Sequence, residues 1–99
     1  MQSMQNTPLN SESRPALAGH VRLQNDPVDG GPVLLYPEGL LKLNETAQAI
    51  LSRCDGNTTI GEIVSRLDLE YNAGAETLMA DVIECLAGFH HEQLVILNK

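Results

Sequence analysis

The 99-residue chain lacks tryptophan, and aromatic residues make up only 3% of it. Its interior must therefore be aliphatic, and the 42% hydrophobic content suffices for one modest core. No apolar run approaches the roughly 18 residues that span a membrane, and the N-terminus lacks a signal-peptide core. Residues 1–16 are polar without periodicity. The sequence predicts a disordered tail over residues 1–16 and one cytoplasmic domain over residues 17–99.

Basic residues are scarce, because six Lys and Arg face 13 Asp and Glu, for a formal net charge of −7. Nucleic-acid binding relies on Lys and Arg to neutralise phosphates, and adsorption to anionic lipid relies on basic segments. The charge balance therefore predicts that the protein binds neither nucleic acid nor a membrane.

Cysteine is also rare. Cys54 and Cys85 are too few for a disulfide scaffold, and without a CxxC pair they fit no zinc pattern. Each falls in phase with the apolar stripe of a predicted helix. We expect both to be buried structural thiols in a reducing compartment.

Short extended segments dominate the first half of the domain. Alternation over residues 20–24 predicts a half-buried strand, and apolar runs over residues 33–36 and 40–43 predict two more. Proline and glycine in residues 37–39 predict a tight turn between the last two. Residues 94–97 form a closing extended segment.

Three helices are predicted between these segments. Asn44 is a good N-cap for the first helix, which Gly56 is expected to end. Thr59 and Glu62 match the capping box at the start of the second. Apolar residues at helical spacing predict a third, longer helix over about residues 75–91.

This order of elements predicts an α+β fold, with a small three-stranded antiparallel sheet followed by a three-helix bundle in a winged-helix-like layout. Winged helices usually bind DNA. From Leu67 to Asn98, however, the chain has six acidic residues and no Lys or Arg, so phosphate would be repelled. A DNA-binding winged helix stays the less favoured alternative.

No residue pattern indicates catalysis, a metal or a prosthetic group. An acyl carrier needs a serine at a helix start for its phosphopantetheine arm, whereas Ser52 and Ser65 fall within predicted helices. His90 and His91 are adjacent in a helix and point about 100° apart, so they share a metal poorly. No catalytic cluster or Gly-rich phosphate loop is present. We expect a non-enzymatic protein without a cofactor.

The third predicted helix carries more apolar surface than one core stripe needs. Met79 and Ile83 extend the stripe, with Ala80 and Ala87 on the neighbouring side. A helix that is apolar over more than half its circumference covers either a larger core or a partner. One alternative is deeper burial against the sheet. The other is a groove between this helix and an exposed edge strand, where a peptide adds as a strand.

The run LLYPEGLLKLNETAQAILSRCDG, followed by ADVIECLAGF and QLVIL, resembles the PqqD family over about residues 14–97. The resemblance implies a peptide chaperone of pyrroloquinoline quinone (PQQ) biosynthesis. It would bind the ribosomally made precursor peptide PqqA and present it to the radical S-adenosylmethionine enzyme PqqE. A leader-recognition domain for another modified-peptide pathway is the alternative within this class.

In domains related to this family, the peptide adds as a strand beside the third strand and packs against the third helix. By that resemblance the peptide-binding residues are Leu34, Tyr36, Leu40, Leu41, Lys42, Leu43, Met79, Ala80, Ile83 and Ala87. The family commonly has a tryptophan just before the Val-Leu-Leu run, where this chain has Pro32. Proline supplies neither the aromatic ring nor a backbone donor, so contacts that depend on that ring are not expected here.

Overall fold

The computed structural model describes residues 9–98. Within them the elements are β1 (Arg14–Leu17), β2 (Arg22–Asn25), β3 (Pro32–Tyr36), β4 (Gly39–Lys42), α1 (Glu45–Leu51), α2 (Ile60–Tyr71), α3 (Ala75–His91) and β5 (Val95–Asn98). Strands β2, β3 and β4 form an antiparallel sheet in that order, and β1 pairs separately with β5. The predicted α+β layout of a small antiparallel sheet and three helices is confirmed.

The N-terminal segment departs from the predicted tail. Leu9 is buried in the core at 4% exposure, and β1 pairs antiparallel with β5, with Arg14 opposite Asn98. The prediction is therefore wrong for residues 9–16, and residues 1–8 lie outside the described residues. The pairing was missed because its two strands stand at opposite ends of the chain, and a short polar segment carries no periodic signal of a distant partner.

The loop after α1 contacts β1 along the edge opposite β5. The Gly56 N–H donates to the Pro15 carbonyl at 2.8 Å, and Asp55 forms an isolated bridge with Ala16. The Asn98 side chain donates to the Gly56 carbonyl at 3.2 Å. Gly56 has a φ of +81°, and a Cβ there would lie 2.5 Å from Asn98 Nδ2. This junction therefore requires glycine.

The helix boundaries follow local signals. Asn44 Oδ1 accepts from the backbone N–H three residues on at 2.7 Å, as expected of an N-cap. Thr59 and Glu62 form the reciprocal capping box, with bonds of 3.1 and 2.9 Å. The third helix spans the predicted residues. The first ends earlier than expected, at Leu51 and not at Gly56.

One aliphatic core joins the sheet, the helices and both ends of the described chain. Its fully buried members include Leu34, Ile50, Leu51, Ile60, Ile63, Val82 and Leu86. Cys54 belongs to this core at 8% exposure, but Cys85 is only half-buried, which corrects the expectation that both thiols are buried. Among residues 9–98, no helix has the length and apolar content to span a membrane.

Candidate functional site

Strand β4 is an edge of the three-stranded sheet, because β3 is its only partner among the described strands. The Leu43 N–H donates to the Pro32 carbonyl at 3.0 Å. Inward and outward bonding alternate along an antiparallel pair, so Leu41 bonds toward β3. The N–H and C=O groups of Leu40 and Lys42 therefore point away from the sheet, where an extended peptide can pair with them as a further strand.

The side chains of β4 divide between the two faces of the sheet. Leu41 lies opposite Leu34 on the core face, and Leu40 lies opposite Leu35 on the other face. Leu40 and Leu41 remain 45% and 39% exposed, whereas Leu34 is fully buried in the core. Leu34, which the resemblance assigned to the peptide site, has no surface to offer a peptide and instead supports the sheet beneath it.

The apolar flank of α3 is only half covered. Met79, Ile83 and Ala87 follow one another at four-residue spacing and pack partly against the core, and Ala80 beside them is exposed. The adjacent Val82 is fully buried. The core therefore accounts for part of the apolar surface that the sequence placed on this helix, and the remainder is open to a partner.

A cavity of about 560 Å³ lies where the β3–β4 hairpin approaches the end of α3. It is lined by His20, Tyr36, Glu38, Leu41, Glu92, Gln93 and Leu94. The structure thus brings Tyr36 and Leu41 together with the segment that follows α3. Sequence reasoning missed residues 92–94 because they lie in a turn, and the only local signal of that turn is the end of the helical pattern.

Two of the predicted site residues, Lys42 and Leu43, contact other parts of this chain. The Lys42 ammonium donates to Asp29 at 2.7 Å and lies 3.4 Å from Asp26. The hydrogen bond to Asp29 raises the pKa of Lys42, and the same bond lowers the pKa of Asp29. The Lys42 side chain therefore links β4 to the β2–β3 loop through an exposed ion pair, while its backbone groups point outward, away from β3. Leu43 is half-buried against the core just after β4.

The two thiols are not activated. Burial, with smaller contributions from Cys85 and Asp55, raises the pKa of the Cys54 thiol to about 12. Burial also raises the pKa of Cys85, with a further contribution from Glu84. Thiolates are the reactive form of cysteine, so both residues are poor nucleophiles at neutral pH.

The fold and this site define a class of small α+β domain, in which a free edge strand approaches the end of a half-covered helix. That geometry is typical of recognition by strand addition. The chain belongs to the PqqD family, because the family model described as Coenzyme PQQ synthesis protein D (PqqD) matches residues 31–95.

Individual relatives agree with this membership. A protein of Xanthomonas axonopodis pv. citri (strain 306), named PqqA binding protein, is 37% identical over 89 residues, which cover 90% of this chain and 97% of that protein. A protein of the same name from Stutzerimonas stutzeri (strain A1501) is 42% identical over 72 residues, which cover 73% of this chain and 77% of the relative.

Two solved structures share the fold. The solution NMR structure of the PqqD truncation of Methylobacterium extorquens PqqCD matches with a TM-score of 0.79 and 32% identity, over 91% of this chain and 96% of that one. That truncation is described as a functional, stand-alone recognition element for ribosomally synthesized and post-translationally modified peptides. The crystal structure of PqqD from Xanthomonas campestris matches with a TM-score of 0.55 and 35% identity, over 87% and 96% of the two chains.

Proposed function

We propose that this chain is a peptide chaperone of PQQ biosynthesis, which binds the precursor peptide PqqA and presents it to the radical S-adenosylmethionine enzyme PqqE. The observation that carries the proposal is the free edge of β4, with outward backbone groups at Leu40 and Lys42. Family membership supports PQQ biosynthesis as the pathway. The names of the two relatives support PqqA as the peptide.

In the proposed complex the peptide pairs as an extended strand with the outer edge of β4. Backbone hydrogen bonds set its direction and register, and apolar burial at roughly 25 cal/mol per Å² contributes to affinity. The peptide side chains on the core side rest on Tyr36, Leu41, Leu43, Met79, Ala80, Ile83 and Ala87. Side chains on the opposite side meet Leu40.

The proposed role is binding without chemistry, in the cytoplasm and without a metal or cofactor of its own. A bound peptide that is carried to the enzyme reacts at a high effective concentration and in a fixed register. The unactivated thiols and the apolar character of the β4 edge support a role for this chain in binding, with the chemistry carried out by the enzyme.

A titration with synthetic PqqA, followed by amide chemical shifts, tests the proposal. We expect the largest shifts at residues 40–43 and 79–87, and an unchanged peptide mass after incubation with this chain alone. A scrambled PqqA sequence is the control for composition. Absence of binding to PqqA, or shifts confined to other surfaces, would reject the proposed peptide site.

A further inference from the structure

The turn that ends α3 has a glutamine at a position where helices usually have glycine. The Leu94 N–H donates to the Phe89 carbonyl at 2.9 Å, and the Gln93 N–H donates to the His90 carbonyl at 3.0 Å. This pair of bonds is the Schellman motif, in which the residue just past the C-cap has a left-handed backbone and is usually glycine. Gln93 occupies that position with a φ of +65°. Glycine would therefore fit there with less strain.

The glutamine side chain contributes little to the fold at this turn. Gln93 is exposed, and its carboxamide has no hydrogen-bond partner among residues 9–98. The other left-handed non-glycine residue of this range is Asn72, at the C-cap of α2. Asparagine visits this conformation routinely because its short side chain bonds locally, and glutamine lacks that advantage. Residues held in such strained conformations cluster at binding and active sites.

Gln93 lies next to the proposed peptide strand. It lines the cavity between the β3–β4 hairpin and the end of α3, together with Tyr36 and Leu41. Leu41 is on the core face of β4. A strand that pairs with the outer edge of β4 places one side chain beside Leu41 on the same face. The cavity is therefore positioned to receive that side chain.

The lining of this cavity is rich in hydrogen-bond acceptors. Glu38 and Glu92 have only acceptor oxygens when ionised, and the side chains of Gln93, Tyr36 and His20 can each accept as well. The described lining contains no Lys or Arg, and the ion pairs among residues 9–98 involve neither glutamate. A peptide side chain that ends in a hydrogen-bond donor finds partners here, whereas a carboxylate would meet like charge.

We propose that Gln93 is a specificity-determining residue of the peptide site. Its carboxamide oxygen accepts a hydrogen bond from a donor-bearing side chain of PqqA, at the peptide position beside Leu41. This assignment rests on the proposed function, since it takes PqqA as the strand paired with β4. Backbone pairing and the apolar flank of α3 serve many extended peptides, and a pocket for one particular side chain selects among them.

Substitution by glycine tests the proposal, because stability and recognition should then change in opposite directions. Gln93→Gly should raise the urea midpoint of unfolding by about 0.3 M, since glycine adopts the left-handed conformation without strain. The same change should lower PqqA affinity about fivefold, since the cavity loses an acceptor. Asn72→Gly is the matched control, because it replaces the other left-handed side chain outside the cavity lining. It should leave PqqA affinity unchanged.

A second pair of variants tests the donor class of the peptide side chain. Gln93→Glu keeps an acceptor oxygen and loses the NH₂ donor, and Asn72→Asp makes the same charge change outside the cavity lining. Gln93→Glu should bind PqqA at least as tightly as Asn72→Asp does. An alanine scan of PqqA against wild type and Gln93→Gly should then find one donor-bearing position whose loss weakens binding to the wild type alone.

Several outcomes would overturn the proposal and leave the proposed function intact. They are wild-type PqqA affinity in Gln93→Gly, a lowered affinity that accompanies a lowered urea midpoint, weaker binding in Gln93→Glu than in Asn72→Asp, and coupling of Gln93 to no peptide position or to a carboxylate. Failure of PqqA to bind the wild-type chain would instead reject the proposed function together with this assignment.

Discussion

Leu41 lies opposite Leu34 across the β3–β4 pair, yet Leu34 is fully buried and Leu41 keeps 39% of its surface exposed. The difference follows from position in the sheet, because β3 has a strand on each side, whereas β4 pairs only with β3 among the described strands. Leu41 therefore lies at the boundary between the core and the solvent. Covering its exposed part would contribute about 1 kcal/mol to binding of a strand laid beside it.

The flank of α3 should be sensitive to charge. Ile83→Glu places a carboxylate beneath the proposed peptide strand, and desolvating it should weaken PqqA binding at least about tenfold. Thr77→Glu introduces the same charge at an exposed position of α3 and should leave affinity unchanged. Calorimetric titration gives the affinities, and circular dichroism checks the helix content. Wild-type affinity in folded Ile83→Glu would contradict the assignment of this flank.

The outward backbone of β4 gives a second prediction. Leu40→Pro removes one outward N–H and leaves the inward bonds of Leu41 intact, which an edge strand tolerates. The variant loses the hydrogen bond from this N–H to the peptide, and its proline ring adds bulk at the edge. Together these changes should lower PqqA affinity about fivefold or more in a folded domain. Leu40→Ala keeps the N–H, so it measures the effect of losing the leucine side chain alone. Equal PqqA affinity in the two variants would argue against strand addition at this edge.

Local signals predicted most of the fold because they act within a few residues. The Asn44 cap and the Thr59–Glu62 capping box form as expected, and the apolar run of the second predicted strand buries Val33 and Leu34 on opposite faces of β3. Pro32 also fits its place as the first residue of β3, a position that tolerates proline, and its carbonyl accepts from the Leu43 N–H just after β4.

The structural features that the sequence did not predict depend on contacts between residues that are distant in the chain. Pairing of β1 with β5 joins residues more than 70 positions apart, and no pattern within either strand specifies it. Leu34 was assigned to the peptide because an apolar strand residue does not reveal whether solvent or core covers it. The contact of Lys42 with Asp29 crosses between loop and strand, so it also has no local signal.

The junction at Gly56 should control stability. Gly56→Ala forces a Cβ into a left-handed position 2.5 Å from Asn98 Nδ2 and should lower the free energy of unfolding by about 2 kcal/mol or more. Gly88→Ala is the matched control, because its Cβ would meet nothing within 4 Å and it lies within α3. It should raise stability by about 0.5–1 kcal/mol. Urea unfolding of both variants measures the difference, and an unperturbed Gly56→Ala would contradict the close approach of β5.

Acid should destabilise the fold partly through Asp55. Its carboxylate accepts from the N–H groups of Asn57 and Thr58 at 2.9 and 2.8 Å, and these bonds lower its pKa in the folded state. A lowered folded pKa gives stability that is complete above the unfolded value, near pH 4, and is lost as the pH falls through the folded value. Urea midpoints between pH 7 and pH 2.5 should therefore fall less steeply in Asp55→Asn, which keeps the acceptor oxygen. A wild-type acid slope in that variant would show that Asp55 does not contribute.

The two cysteines should differ in reactivity. Cys54 is 8% exposed, its pKa is raised to about 12, and its Sγ donates to the Ile50 carbonyl at 3.3 Å. The thiolate is the form of cysteine that attacks maleimide, so Cys54 should stay unlabelled in the native protein and react only in urea. Cys85 is half-buried with a raised pKa, so it should react more slowly than a free thiol and before Cys54.

Removal of the Cys54 thiol should affect stability and not recognition. Cys54→Ala leaves a small cavity and should cost on the order of 1–2 kcal/mol of unfolding free energy, with PqqA affinity unchanged. Cys85→Ala should cost less, because its side chain is only partly enclosed. Mass spectrometry of the labelled native protein measures the reactivities, and urea unfolding measures the stability changes. Labelling of Cys54 at the rate of a free thiol under native conditions would show that this part of the core opens readily.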